Sequence, residues 1–331
     1  MAGRIISTIP AKCRDCYKCL RSCPVKAIQV KRQESGGELY AQVMDERCIV
    51  CGRCVQVCPQ KAKRVTTDVE KVRSLLQGGL KVVASVAPSF AGALPVDVAG
   101  LLPAALRRLG FSIVQETALG AEMVGAAHRT LETATNGRFE RPLLSTSCPA
   151  IVNLVEKHFP HLLPHLAPVV SPMVAHARYL RQQYPEAQIV FVGPCFAKKE
   201  EVLQINEDEP GLIAAALTFQ EIWEWWQETQ STSMTSLVPE PFDPPFPRRA
   251  QLFPIEGGLL YTAEMTTGPM ASDAIVITGV DHCVDFLTRF DEYAGRPESP
   301  RLIEMLSCST GCIAGPGAVS EEDPFLRRNR V

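Results

Sequence analysis

Two copies of one cysteine spacing dominate the start of this chain, CRDCYKCLRSCP at residues 13–24 and CIVCGRCVQVCP at 48–59. Each is a C-x2-C-x2-C-x3-C-P run, and this is the internal repeat of the sequence, at an offset of 35 residues. Three thiolates at such short spacings wrap one iron–sulfur cube, and the fourth crosses to the cube of the other run before proline turns the chain away. On that rule Cys13, Cys16, Cys19 and Cys58 hold one 4Fe-4S cluster, while Cys48, Cys51, Cys54 and Cys23 hold a second. A disulfide framework belongs to short exported chains, and this one has 331 residues with no apolar export signal at its start. Zinc sites come as separate C-x2-C pairs or with histidine, and no histidine stands among these eight cysteines.

The doubled run resembles the two-cluster domain of bacterial ferredoxins, an α+β unit that stores and passes electrons. Length allows such a unit at residues 1–78 and a larger domain at 79–331, large enough for its own core. A net charge of -2 gives no electrostatic case for nucleic acid or an anionic membrane. The most apolar stretch, residues 79–106, carries Pro88, Pro95, Asp97 and Pro103, which argues against a membrane span. Thiolate ligands need a reducing compartment, so the expected location is cytoplasmic.

From about residue 79 the pattern alternates. KVVASVA (81–87), FSIVQET (111–117), IVFVG (189–193) and AIVITG (274–279) are short β-branched runs suited to buried parallel strands. Helical patterns lie between and beyond them at 96–110, 172–184 and 217–230. The expected architecture is an α/β domain whose sites sit where loops leave the strand ends.

Four of the five remaining cysteines fall at expected strand exits: Cys148 in STSCP, Cys195 in VGPC, and Cys308 with Cys312 in LSCSTGC. One reading converges them on a third cube; the other leaves four small buried thiols. Cys283 in VDHCVDF is the odd one, either a fifth ligand or redox thiol or, as the more ordinary reading, a core residue of an amphipathic helix. Trp223, Trp225 and Trp226 read in the ordinary way as core, but Trp225 cannot share a helical face with both neighbours, and the alternative is that part of the cluster meets a partner. His158, His161 and His165 read as capping or surface positions.

STSCP, GPCFAKKEE and EMLSCSTGC together resemble, in order, the three cluster-binding motifs of the iron-only (FeFe) hydrogenases. VAPSF (86–90), SPM (171–173), LT (217–218), FDPP (242–245) and EGG (256–258) are similar to further segments of that family, and the FDPP match makes the Pro-rich stretch 239–247 an internal loop. The resemblance implies an α/β H-cluster domain. Cys148, Cys195, Cys308 and Cys312 would hold a 4Fe-4S cube, with Cys312 bridging to a diiron subsite that bears carbon monoxide, cyanide and an azadithiolate. Lys198 would donate to one cyanide with Glu201 holding it, and Pro88 with Ser89 would line the other. The implied reaction interconverts dihydrogen with two protons and two electrons, served by a ferredoxin or other redox protein and dependent on maturation proteins.

The sequence departs from that family where protons would travel. Ser147 stands where a relay cysteine is expected, and a hydroxyl is a poor proton station beside a thiol with a pKa of about 8.5. Ala126, Ala127 and His128 replace acidic residues, and Ala167 a relay serine. Gly193 and Leu306 each replace a methionine. Slow turnover is the expectation. It resembles the sensory branch of the family, in which a hydrogenase domain feeds a signalling partner. An iron–sulfur scaffold or carrier without the diiron subsite is the remaining alternative.

Overall fold

A computed structural model describes residues 4–32, 39–134, 141–229, 232–265, 274–294, 296 and 300–331. The N-terminal segment is built on strands β1 (Ile6–Thr8), β2 (Ile28–Arg32), β3 (Leu39–Val43) and β4 (Lys63–Val65). β1 pairs antiparallel with β4, and β2 with β3. The cysteine runs occupy the connections, where short helices Lys18–Ser22 and Arg53–Gln56 each start on a left-handed residue, Tyr17 and Gly52. Such turns fold the chain back tightly enough to bring closely spaced thiols round one centre.

The rest of the chain carries two parallel sheets. Their strands are β5 (Val82–Val86), β6 (Ile113–Glu116), β7 (Leu143–Leu144), β8 (Gln188–Gly193), β9 (Ala215–Thr218), β10 (Ala274–Thr278) and β11 (Leu302–Leu306). One sheet runs β6-β5-β8-β9 and the other β10-β11-β7. Every residue of β5, β9 and β11 is buried, which is why these segments lack polar alternation. Helices cover the sheets, as the α/β expectation holds.

All four expected strands appear, with β5, β6 and β10 shorter than their apolar runs. The pattern at 96–110 divides into helices Val96–Ala99 and Leu102–Leu109, because Pro103 sits in the first turn of the second and starts it anew. Leu217 and Thr218 end β9, so the expected helix at 217–230 runs Phe219–Thr229, with position 230 outside the described residues. Helix Ala118–Ala134 was not expected from periodicity. It lies against helix Pro172–Gln183 so closely that a Cβ on Gly120 would meet the Pro172 carbonyl oxygen at 2.2 Å.

One core surrounds the four-stranded sheet. Another runs without a break from Ile6, Ile28 and Val43 to Leu144, Ile151, Leu154 and Met305, so apolar packing is shared across the 78/79 boundary. Trp225 and Trp226 are both buried, Trp225 under the Arg73 guanidinium and beside Phe111, and Trp223 packs with Trp226. Trp225 and Trp226 thus take the ordinary core role within the chain, and Trp223 is part-exposed. Among the described residues no helix is long and apolar enough to cross a membrane.

Candidate metal centre

The two parallel sheets present their C-terminal ends to one another, and three cysteine-bearing loops leave them there. Cys148 follows β7 and caps helix Pro149–His158. Cys195 follows β8 through Pro194 and precedes helix Ala197–Asp208. Cys308 and Cys312 follow β11, and the turn between them needs Gly311 at φ 78°, where a Cβ would meet the Pro254 carbonyl oxygen at 2.2 Å. The Cys312 amide donates to that same carbonyl at 2.6 Å, which fixes the loop.

Cys148, Cys195, Cys308 and Cys312 line one cavity of ≈ 50 Å³ together with Ser147 and Lys198. A neighbouring cavity of ≈ 70 Å³ is lined by Cys195, Cys312, Lys198, Pro88, Ser89 and Ser147 among others. The sequence-predicted residues of this region are therefore brought together. Lys198 is buried, and its Nζ donates to Glu201 Oε2 at 2.6 Å and to Ser171 Oγ at 2.9 Å. Ser89 Oγ and Ser147 Oγ are buried without a hydrogen-bond partner among the described residues. Two orphaned hydroxyls and an ammonium at one apolar cavity fit a polar, acceptor-bearing occupant, since unpaired buried polar groups are costly.

The same burial acts on the thiols. Desolvation, then the neighbouring Cys148 sulfur, pushes Cys195 up to about 12, and Lys198 pulls it partly back. Cys308 and Cys312 are likewise pushed up by burial and then by the other cysteines of the set. A thiolate is disfavoured here unless a cationic centre compensates it, which suits ligation and not free-thiol chemistry.

In the N-terminal segment, Cys23, Cys48, Cys51 and Cys54 line one cavity. Cys16 and Cys58 both point at Gln60 Oε1, at 3.6 and 3.9 Å, and Cys19 feels the charges of Cys58 and Cys13. The first grouping brings together the four cysteines that the spacing assigns to one cluster, and the contacts of the second fall among those it assigns to the other. No three His, Cys, Asp or Glu side chains among the described residues close on one point as a single ion requires. A cube spreads its thiolates around a far larger core. Cys51 belongs to both regions: it lines the Cys23 group's cavity and the cavity of the four C-terminal cysteines. Cys16, at the other end, is exposed.

Polar braces hold these parts in register. Lys157 Nζ donates to the Cys48 carbonyl and to Glu200, which also takes a bond from Asn153. Arg53 grips Asp281 with two bonds of 2.9 and 2.7 Å. A Cβ on Gly52 would strike Pro316 at 2.5 Å and Phe196 at 2.8 Å, so the second cysteine run touches the loops of Cys195 and Cys312 directly. Lys63, unremarked in the sequence, is buried with its ammonium on Thr8 and Ala41, and its charge reaches both Cys19 and Cys54. Cys283 is a core thiol beneath the carbonyls of Ile277 and Leu306. His128 is buried, with Nδ1 on the Val124 carbonyl and Nε2 unpartnered. His158 and His165 bond the carbonyls of Arg47 and Pro142, and His161 is exposed. The Pro-rich stretch is an internal loop docked on β6 through Asp243, which bonds both backbone groups of Val114.

The family described as iron only hydrogenase large subunit, C-terminal domain, matches residues 80–316, and a 4Fe-4S dicluster domain matches residues 12–62. The NADP-reducing hydrogenase subunit HndD of Solidesulfovibrio fructosivorans is 26% identical over 304 residues, covering 75% of this chain and 52% of its own. Iron hydrogenase 1 of Clostridium pasteurianum is 28% identical over 241 residues, covering 64% and 42%. The chain thus spans about half the length of the curated relatives it matches. A variant of the [FeFe]-hydrogenase HydA1 from Chlamydomonas reinhardtii superposes with a TM-score of 0.59 at 17% identity, over 80% of this chain and 88% of that one. The HydA(deltaEFG) structure does so at 0.59 and 19%, with the same coverage. These likenesses establish the fold. With the family match spanning both sheets and all four C-terminal cysteines, the chain belongs to the iron-only hydrogenase large-subunit family, with a 4Fe-4S dicluster domain at its N-terminal end.

Proposed function

We propose that this chain carries out hydrogenase-type chemistry, interconverting dihydrogen with protons and electrons at low turnover. The observation that carries the reading is the meeting of Cys148, Cys195, Cys308 and Cys312 at one seam, beside a cavity whose polar lining includes Lys198, Thr117, Ser89 and Ser147. The four thiolates would hold a cube, with Cys312 as the bridge to a diiron group in the adjoining cavity. That group, when bound, supplies the site at which dihydrogen is split or formed. Lys198 would donate to an anionic ligand of the group, and Glu201 and Ser171 hold its ammonium in place. Pro88 and Ser89 would line the opposite side, and the apolar wall excludes water.

Electrons would pass from the exposed Cys16 end, through the cluster held by Cys13, Cys16, Cys19 and Cys58, to that held by Cys23, Cys48, Cys51 and Cys54. Cys51 then abuts the C-terminal centre. The external carrier would be a ferredoxin or similar redox protein, docking near Cys16. Proton movement is the slow element, because Ser147 Oγ has no partner among the described residues to pass a proton to.

That same unpartnered hydroxyl favours a second reading, in which the domain reports dihydrogen or redox state to a signalling protein and turnover is incidental. Iron analysis and infrared spectroscopy of chain produced with the maturation proteins test the first reading. It expects about 14 irons per chain and metal-bound carbonyl and cyanide bands; about 12 irons without those bands would leave a three-cube scaffold or carrier.

A further inference from the structure

Beneath the ≈ 70 Å³ cavity lies a chain of four hydrogen-bonded polar side chains drawn from three segments. Thr117, which lines the cavity, has its Oγ1 2.7 Å from Ser85 Oγ. Ser85 Oγ lies 2.8 Å from His176 Nδ1, and His176 Nε2 lies 3.3 Å from Gln115 Oε1. The Gln115 amide nitrogen donates to the Pro244 carbonyl at 2.6 Å. All four side chains are buried.

The direction of every bond in this chain follows from its outer end. A carbonyl only accepts, so the group that Gln115 turns to Pro244 must be its NH2, which leaves Oε1 for His176. His176 Nε2 then carries the imidazole proton. Burial holds the ring at about 3, so it is neutral and Nδ1 is an acceptor. Ser85 has one hydroxyl hydrogen, and Nδ1 takes it. The Ser85–Thr117 bond must therefore use the hydrogen of Thr117. Oγ1 of Thr117 is left with lone pairs alone, in a cavity whose ammonium, on Lys198, only donates.

We propose that Thr117 is a specificity-determining acceptor of this cavity, taking a hydrogen bond from an N–H group at the centre of the occupant's dithiolate bridge, and that His176, acting through Ser85, is the positioning residue that keeps Thr117 in the accepting sense. The inference rests on the diiron reading above and adds which feature of the group this chain recognises.

The test loads the whole chain with two synthetic diiron complexes that differ at one atom of the dithiolate bridge, amine or methylene. Retention is read from iron content and metal-carbonyl infrared bands. One hydrogen bond predicts about fivefold better retention of the amine complex. The isosteric Thr117→Val should abolish the preference while both complexes still bind. His176→Leu should lose it too, and His176→Gln, whose amide can accept from Ser85 and donate onward, should keep it. Equal retention by the unaltered chain, or a preference that survives Thr117→Val, overturns the proposal and leaves the diiron reading standing. Retention of neither complex overturns both. Independently of any loading, the 15N shifts of His176 must show a protonated Nε2 and a bare Nδ1; the opposite tautomer overturns the proposal, even should the His176 variants fail to fold.

Discussion

The ring of Phe191 fills the space that a side chain on Gly193 would need. A Cβ there would lie 2.6 Å from Cζ and 2.7 Å from Cε1 of the ring, and 3.0 Å from the Ala87 Cβ. The methionine that the family resemblance expects at 193 has thus been replaced by an aromatic from two residues earlier on β8, and the ring lines the cavity in its stead. Gly193→Met should cost about 1–3 kcal/mol in urea melts through overpacking. Adding Phe191→Ala should recover part of that loss. A single Gly193→Met variant as stable as the parent would contradict the exchange.

The Lys198–Glu201 pair is nearly enclosed, with side-chain exposures of 10% and 14%. Glu201→Gln leaves the ammonium with neutral acceptors only and no counter-charge. Removing one partner of a buried pair is expected to cost about 3 kcal/mol. Denaturant titration measures it, and a loss below about 1 kcal/mol would show that water reaches the ammonium.

At position 147 the outcome is read in turnover. Ser147→Cys places a thiol, able to hold and release a proton near neutral pH, where the structure has an unpartnered hydroxyl. Dihydrogen evolution by the loaded chain should rise by at least about tenfold. No rise would place the barrier beyond this residue, with the alanines at 126 and 127 the next to change.

Glu304 gives the fold a pH dependence of its own. Burial pushes its carboxyl up to about 7 from 4.5, against the amides of Leu260 and Leu259 that favour its charge. The folded chain therefore keeps a proton that the unfolded chain has released. This contribution to stability is complete below pH 4.5 and is lost as pH climbs through about 7. Glu304→Gln, which keeps one of the two acceptor oxygens, should flatten that slope and be more stable than the parent by roughly 2 kcal/mol at pH 8. Parallel pH–stability curves for the two proteins would refute it.

Cysteine spacing made the N-terminal groupings legible, because ligands only two or three residues apart leave the chain little freedom. β5, β6, β8 and β10 were legible as β-branched runs. β7 was not, since Leu143–Leu144 is too short to show a pattern, and β9 was hidden because Leu217 and Thr218 read on into the following helix. Helix Ala118–Ala134 escaped notice because glycine and alanine, there for close approach to Pro172 and Thr262, blur its apolar face. At the site, cysteines and Lys198 could be named from motifs. Phe191 over Gly193, and the set Thr117, Ser85, His176 and Gln115, could not: their members are ordinary residues until the parallel strands bring them together.

The four C-terminal thiols come from both sheets, Cys195 from the end of β8 and the others from β7 and β11. An inorganic core bonded to all four would act as a rivet between two separately hydrogen-bonded slabs. Iron supply and mechanical integrity are then one variable in this molecule. A chain starved of iron should open first along that join, exposing the loops around Cys148 and Cys312 to proteases before either slab melts.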